Sequence, residues 1–138
     1  MSPILLDTGC IVALLDRSER DHARCVEVVS ELTAPLVTCE AVIAESCYLL
    51  RRLRGAADAV LRNVEQGIFQ IPFRLEAQSK PVRALLKKYA GVPMDLADAC
   101  LVHMADELDA GQILTLDGDF TIYRWRRTRR FERLIQKD

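Results

Sequence analysis

The sequence predicts an α/β fold, a three-layer α/β/α sandwich with a mainly parallel central sheet of four to five strands. Short apolar runs, too brief for helices, alternate along the chain with longer segments of helical periodicity. Helices that connect parallel strands cover both faces of a sheet, so its strands read as continuous apolar runs. With 138 residues, 50% hydrophobic and 28% charged, the chain fits one globular domain spanning 1–138.

The first element is a buried strand at residues 4–6, an Ile-Leu-Leu run. Asp7 follows directly, and Thr8 and Gly9 interrupt the apolar pattern before a short helix over 11–15. A carboxylate at this point lies beyond the carboxyl end of a strand, where open α/β sheets bind ligands. Asp7 is therefore the first candidate site residue.

The segments that follow continue the alternation of helix and strand. Asp21 is a suitable N-cap for a second helix reaching about residue 32, and a second strand is predicted at 36–37. Thr38 is expected to cap a third helix. This third helix is predicted over 40–54 and ends at Gly55, and a fourth helix follows over 56–66. A strand is predicted at 68–71. The next helix is predicted over 75–89, and Pro81 is expected to mark a new first turn within it.

The third helix carries a carboxylate at an unexpected place. Ala41, Val42, Tyr48 and Leu49 stand at i−4, i−3, i+3 and i+4 from Glu45, which predicts that Glu45 lies within the buried stripe. A lone buried carboxylate is costly unless it is paired or binds a metal. The pattern leaves open whether the partner is a metal ion or a neighbouring arginine.

Two further pairs of acids occur in the second half of the chain. Asp95 and Asp98 are three residues apart at the start of a helix that Gly111 ends, so they project from one face. Asp95 also suits an ordinary N-cap, with Asp98 as its capping-box partner. Asp117 and Asp119 directly follow a strand predicted at 112–116, where a plain Asp-Gly turn is the structural alternative. Short edge strands are expected at 121–125 and 130–135.

Together these acids favour a metal site over separate structural roles. Carboxylates gathered in a low-dielectric site repel one another, and a hard divalent cation removes that conflict. Magnesium prefers oxygen ligands and is commonly shared with substrate phosphates, which indicates phosphodiester hydrolysis. The chain has no P-loop and no dinucleotide-binding glycine motif.

Charge and cysteine content indicate the kind of partner and the cellular compartment of the protein. Residues 124–138 hold seven basic and two acidic residues, a net charge of +5, which leaves a net charge of −6 on the other 123 residues. The chain therefore has an acidic body and a basic tail, and such a tail is suited to binding a polyanion. The five cysteines form no metal-binding spacing and are expected to be reduced, buried thiols in a cytoplasmic protein. We expect neither an export signal nor a membrane partner.

The motifs LLDTGCIVALLD, VIAESCYLL, PMDLADACLVHMA and ILTLDGDF occur in the order typical of PIN-domain ribonucleases and span residues 4–120. The sequence most closely resembles the VapC-type toxins of prokaryotic toxin–antitoxin pairs. This resemblance implies a PIN-like fold and Mg²⁺- or Mn²⁺-dependent cleavage of RNA by in-line attack of water. It also implies a homodimer and a cognate antitoxin that blocks the acidic site.

The resemblance also assigns roles to residues. Asp7, Glu45, Asp98 and Asp117 match the family's four acids as catalytic residues and metal ligands. Asp95 and Asp119 match acids common beside them and are expected to be further metal ligands. Thr8 and Thr115 match supporting hydroxyl positions. RNA binding is expected from three arginines and one aromatic residue of the basic tail, namely Arg124, Arg126, Arg127 and Trp125.

The sequence alone leaves alternative functions open. A non-catalytic PIN-like module that binds RNA or protein is the main one, although such a module would be expected to lack one of the acids. Residues 117–121 also fit the DxDxT motif of magnesium-dependent phosphatases. That motif normally opens a long domain, whereas only 17 residues follow it here.

Overall fold

A parallel sheet of five short strands forms the centre of residues 1–135, the part of the chain that this computed structural model describes. Its middle strand pairs in parallel with a neighbour on each side, and every residue of that strand is buried. The strands are β1 (Ile4–Leu6), β2 (Leu36–Val37), β3 (Phe69–Gln70), β4 (Gln112–Leu114), β5 (Arg124–Trp125), β6 (Arg129–Arg130) and β7 (Glu132–Arg133), and the sheet order is β3-β2-β1-β4-β7.

Six helices are described in residues 1–135, and they account for the burial of the central strands on both faces. They are α1 (Thr8–Leu15), α2 (His22–Ser30), α3 (Glu40–Leu49), α4 (Ala56–Glu65), α5 (Leu75–Lys88) and α6 (Leu96–Leu108). The α/β/α architecture with a parallel sheet of four to five strands is thus confirmed. Within residues 1–135, no helix has the length and hydropathy that crossing a membrane requires.

The first helix begins earlier than predicted. Asp7 caps α1 by accepting the backbone N–H of Thr8 at 2.8 Å, so the helix starts at Thr8 and includes Gly9. The expected start at residue 11 was wrong because an acidic side chain can satisfy the free amides of the first turn. The candidate site residue therefore lies at the junction of β1 and α1.

The start and end of α3 also differ from the prediction. Cys39, not Thr38, stands at the N-cap, and the Thr38 hydroxyl instead donates to the carbonyl of Leu6 at 2.7 Å. This bond ties the end of β2 to the end of β1. The helix ends at Leu49, and Gly55, with a φ of 78°, begins α4 rather than ending α3.

The later elements show two further differences. Pro81 lies inside one continuous α5, where it removes a single backbone hydrogen bond without starting a new helix. The strand predicted at 121–125 begins only at Arg124, because Gly118–Thr121 form a 3₁₀ turn in which Asp117 accepts the N–H of Asp119. Strands β5 and β6 form a separate antiparallel ribbon, and β7 alone joins the sheet edge beside β4.

The prediction that the cysteines are buried is confirmed for four of the five. All five cysteines are free thiols, and Cys10, Cys25, Cys39 and Cys100 are buried in the core, whereas Cys47 is half-buried. These thiols serve as small hydrophobic side chains between the sheet and its helices.

Candidate metal centre

Asp7 is held at the carboxyl end of β1 by hydrogen bonds on both carboxylate oxygens. Oδ1 accepts the Thr8 N–H at 2.8 Å, and Oδ2 accepts the hydroxyl of Thr115 at 2.7 Å. The backbone N–H of Asp7 donates to the carbonyl of Leu114 at 3.0 Å, which fixes it against β4. Asp7 is only 6% exposed, so its side chain is buried and rigidly oriented.

Asp98 enters the same region from the first turn of α6. Asp95 caps this helix by accepting the Asp98 N–H at 2.8 Å, so the capping role that the sequence left open is present. The Asp98 carboxylate is buried, and its Oδ2 accepts the hydroxyl of Tyr123 at 3.1 Å. Tyr123 is itself buried between Phe120 and Tyr89 in edge-to-face contacts, which fixes the donor.

Asp117 is the third acid, and the loop after β4 brings it in. Its N–H donates to the Thr115 hydroxyl at 3.0 Å, so Thr115 links Asp7 and Asp117. The Oδ1 of Asp117 accepts the N–H of Asp119 at 2.9 Å. Asp117 is half-buried, open on one side to solvent.

These three acids converge. Oxygen atoms of Asp7, Asp98 and Asp117 all lie within 4.8 Å of one another. Among residues 1–135, none of the three forms an ion pair with a lysine or arginine. The donor set is therefore three hard oxygen ligands without a compensating cation, which suits a divalent metal ion such as Mg²⁺ or Mn²⁺.

The pKa values of the two buried acids reflect this lack of compensation. Burial is the main cause that raises the pKa of Asp7 to about 6, and the charges of Asp117 and Glu45 add to it, whereas the bonds from Thr115 and Thr8 lower it. Burial also raises the pKa of Asp98 to about 7, with Asp95 and Asp7 as the next causes. A bound cation would reverse this effect by favouring the ionised carboxylates.

Glu45 reaches the centre in a different way from the one predicted. Its side chain is not buried, and Tyr48 and Leu49 of the supposed buried stripe are 61% and 53% exposed. The prediction that Glu45 lies in a buried stripe was wrong because the buried face of α3 is centred on the next residue, Ser46, and continues to Leu50. The Glu45 carboxylate nevertheless accepts the Thr8 hydroxyl at 2.6 Å, which places it beside Asp7 on the solvent side.

Comparison with known proteins decides the family, because residues 4–125 match the PIN domain. The chain belongs to the PIN-domain family. Ribonuclease VapC26 of Mycobacterium tuberculosis is 32% identical over 116 residues, which cover 83% of this chain and 86% of that protein. This similarity identifies the PIN domain as VapC-type.

A solved structure confirms the fold of this PIN domain. The crystal structure of VapC20 from Mycobacterium tuberculosis, described as a sarcin-ricin loop cleaving toxin, matches with a TM-score of 0.81 and 19% identity. The match covers 91% of this chain and 98% of VapC20.

The basic tail of the PIN domain forms the arginine hairpin, residues 124–130, and two of its predicted RNA contacts are placed unfavourably. Trp125 is 8% exposed and donates from Nε1 to the Arg130 carbonyl at 3.2 Å, so stacking on bases does not fit its position. Arg124 is half-buried, and its Nη1 donates to three backbone carbonyls of residues 121–123. Arg126 and Arg127 are exposed, and their roles stay predictions.

Sequence reasoning missed two features of the PIN domain. Tyr123 is the hydrogen-bond donor to Asp98, a role that no motif in the sequence indicates. The second feature is a row of exposed basic residues on α5, namely Lys80, Arg83, Lys87 and Lys88, whose spacing in the sequence already indicates a shared helix face.

Proposed function

We propose that this protein is a metal-dependent endoribonuclease and the toxin of a type II toxin–antitoxin pair. The observation that carries the proposal is the convergence of Asp7, Asp98 and Asp117 within 4.8 Å, with no basic partner among residues 1–135. A buried carboxylate cluster of this kind is costly to the fold, which favours a functional explanation. The PIN-domain match and the similarity to Ribonuclease VapC26 support RNA as the substrate.

The three aspartates would hold Mg²⁺ or Mn²⁺, with Asp7, Asp98 and Asp117 each contributing an oxygen. When bound, such an ion polarises the phosphoryl oxygen and neutralises the charge that develops during attack by water. The protein's own contribution is orientation: Thr115 fixes Oδ2 of Asp7, and Tyr123 fixes Oδ2 of Asp98. These buried hydrogen bonds hold the acids in place before substrate arrives.

The remaining acids would act around this centre. Glu45, held by Thr8, presents a carboxylate on the solvent side, where substrate and water enter. We assign it a catalytic role in orienting the attacking water or a second ion. Asp95 accepts the backbone N–H of Asp98, and Asp119 donates its backbone N–H to Asp117, so both acids lie next to the ligands. Their negative charges would strengthen cation binding.

Partners and setting follow from the VapC-type similarity. We propose a cytoplasmic protein that forms a homodimer and is inhibited by a cognate antitoxin covering the acidic centre. Co-expression with the product of an adjacent reading frame, followed by co-purification and loss of ribonuclease activity, tests the antitoxin. Sedimentation of the isolated toxin tests the dimer.

The test of the catalytic proposal uses Asp7→Asn and Asp98→Asn, because both substitutions preserve shape while removing charge. Wild type is expected to cleave RNA with Mg²⁺ or Mn²⁺ and to arrest growth when expressed, and EDTA is expected to stop cleavage. Each variant should lose at least 100-fold in rate, and purified protein with wild-type circular dichroism excludes misfolding.

The matched control is Asp58→Asn, an exposed carboxylate on α4 paired with Arg62. It should cleave as wild type does. Cleavage by both Asp7→Asn and Asp98→Asn at the wild-type rate would overturn the proposed centre. Activity of wild type in EDTA would overturn the metal requirement.

A further inference from the structure

A cleft of about 420 Å³ lies between α5, α6 and the arginine hairpin, apart from the acidic centre. Pro81, Ala84 and Leu85 form an apolar wall, and Lys88 and Arg127 stand on its rim, with His103 also in the lining. This size falls within the range of small-ligand sites, which combine apolar walls with a few polar groups. The lining therefore suits a ligand with a flat apolar part and a negative charge.

The cations of this cleft are not neutralised by the protein. Within residues 1–135, no carboxylate forms an ion pair with Lys88 or Arg127. Asp106 also lines the cleft and keeps its charge, with Oδ1 accepting the backbone N–H of Arg126 and Oδ2 lying 4.0 Å from Nδ1 of His103. The three cations in the lining, Lys88, Arg124 and Arg127, outnumber this single carboxylate. Positive charge is therefore available to an anion.

The hairpin turn that carries Arg127 has an unusual backbone. Arg126 and Arg127 have φ values of 45° and 70°, a conformation that costs about 1–2 kcal/mol per residue for side chains other than glycine. Asp109 holds the turn through Arg126 Nη1 at 2.9 Å, and Asp106 holds it through the Arg126 amide. Strained backbone that is anchored in this way is typical of functional sites.

His103 lines the cleft as a buried side chain and not as a stacking surface. The ring is mostly buried, and its Nε2 lies 2.7 Å from Oε1 of Gln78 and 3.1 Å from Oε1 of Glu107. A nucleotide base has flat faces that an apolar wall can contact. The wall formed by Pro81, Ala84 and Leu85 lies in the same cleft.

The cleft stands at a defined distance from the acids. Asp98 and Asp106 are eight residues apart on α6, which corresponds to about 12 Å along the helix. At about 3.4 Å per nucleotide of a stacked strand, this distance spans three to four nucleotides. Tyr123 links the two places, since its hydroxyl contacts Asp98 and the next residue, Arg124, lines the cleft.

We propose that this cleft binds one nucleotide of the RNA, three to four positions from the cleaved bond, with its base against the apolar wall and its phosphate between Lys88 and Arg127. The inference rests on the proposed ribonuclease function. It extends that function by assigning a specificity site to α5, which carries none of the acids. A nucleotide held there would fix the register of the RNA relative to the centre.

The test measures RNA binding in EDTA by fluorescence anisotropy, in the Asp98→Asn background so that the RNA stays intact. Lys88→Gln with Arg127→Gln is expected to weaken binding of a 12-nucleotide RNA by about 10-fold or more. The dependence of log K on log salt should become less steep by about 0.7 for each phosphate that the two substitutions leave without a cation. Arg17→Gln with Arg20→Gln removes the same charge from a distant exposed loop and should change affinity less than twofold.

RNA that lacks one base tests which nucleotide occupies the cleft. An abasic nucleotide is moved along the RNA, and binding should weaken when it stands three or four positions from the cleavage site. That weakening should be absent in the Lys88→Gln, Arg127→Gln protein. Equal weakening at every position, or equal weakening in both proteins, would contradict a nucleotide cleft.

The outcomes separate this inference from the catalytic proposal. If wild type cleaves RNA and the cleft variant binds as tightly as the control variant, the cleft assignment fails while the nuclease stands. If the cleft variant loses affinity only for an acidic peptide such as polyglutamate, the cleft is a protein-binding site and the inference fails. If intact protein neither binds nor cleaves RNA, both proposals fail.

Discussion

Replacement of Asp7 by asparagine should stabilise the metal-free protein at neutral and alkaline pH. The pKa of Asp7 is about 6 in the folded protein against an ordinary value of 3.8, chiefly because the carboxylate is buried. That difference corresponds to about 3 kcal/mol at 1.36 kcal/mol per pH unit. Asparagine keeps an oxygen to accept the Thr8 N–H and presents an amide to the Thr115 hydroxyl, so the fold should tolerate it.

The sign of the pH dependence follows from proton binding. Below about pH 4 the Asp7 carboxyl is protonated in both states, so it imposes no cost. Between about pH 4 and pH 6 the folded protein holds the proton that the unfolded chain releases, and the free energy of unfolding falls as pH rises. Above about pH 6 the full cost of the buried charge lowers the free energy of unfolding of wild type, whereas the Asp7→Asn protein has no charge at this position.

Urea denaturation in EDTA at pH 4, 5, 6, 7 and 8 measures the effect. The Asp7→Asn protein should gain up to about 3 kcal/mol over wild type by pH 8, and the gain should vanish near pH 4. Asp58→Asn, with an exposed carboxylate, should show no such growth with pH. If Asp7→Asn is no more stable than wild type at pH 8, the carboxylate carries no uncompensated buried charge, and a metal ion is not needed to explain the cluster.

Three further perturbations probe the same contacts. Mg²⁺ or Mn²⁺ should raise the melting temperature more at pH 8 than at pH 5, because Asp7 and Asp98, with pKa values of about 6 and 7, are mostly protonated at pH 5. Equal shifts of the melting temperature in calorimetry at the two pH values would contradict this prediction. Tyr123→Phe removes the donor to Asp98, so the pKa of Asp98 should rise and the acidic limb of kcat/KM for RNA cleavage should move to higher pH, whereas an unchanged profile would argue against the hydrogen bond. Gly111→Ala would place a Cβ 2.5 Å from the indole nitrogen of Trp125 and should destabilise the protein by about 1–3 kcal/mol in urea, whereas Gly91→Ala, with nothing within 4 Å, should have little effect.

The strands were largely predictable because they are buried on both faces. Residues 4–6 and 36–37 read as apolar runs and form β1 and β2 at those positions. The parallel arrangement follows from the helices between them. Boundaries were harder, as at α1, because a single hydrogen bond from Asp7 shifts the start of the helix by three residues.

Glu45 shows the limit of periodicity. The spacing of Val42 and Leu49 says which side chains share a face with it, but not whether another element covers that face. Val42 is buried and Leu49 is 53% exposed, because the buried face of α3 runs through Val42, Ser46 and Leu50 and leaves Leu49 outside it. The association of Glu45 with Asp7 depends on Thr8, a contact across 37 positions of sequence.

The arginine hairpin shows that charge composition, like periodicity, does not reveal which side chains another element covers. Its composition was evident from the sequence, and Arg126 and Arg127 are exposed as charge predicts. The pairing of Arg126 with Asp109 and the burial of Trp125 were not evident, since both depend on α6 lying beneath the hairpin.

Residue order by itself determined the alternation of strands and helices, the placement of acids just beyond strand ends and the family to which the chain belongs, because these depend on local periodicity and on motifs read in sequence. Tertiary structure alone decided that Asp7, Asp98 and Asp117 meet within 4.8 Å, that Thr115 and Tyr123 orient them and that Lys88 faces the same cleft as Arg127. The physical reason is that charge repulsion, desolvation and hydrogen bonding act over a few ångströms of space, and folding brings together groups that are up to 110 positions apart in the chain.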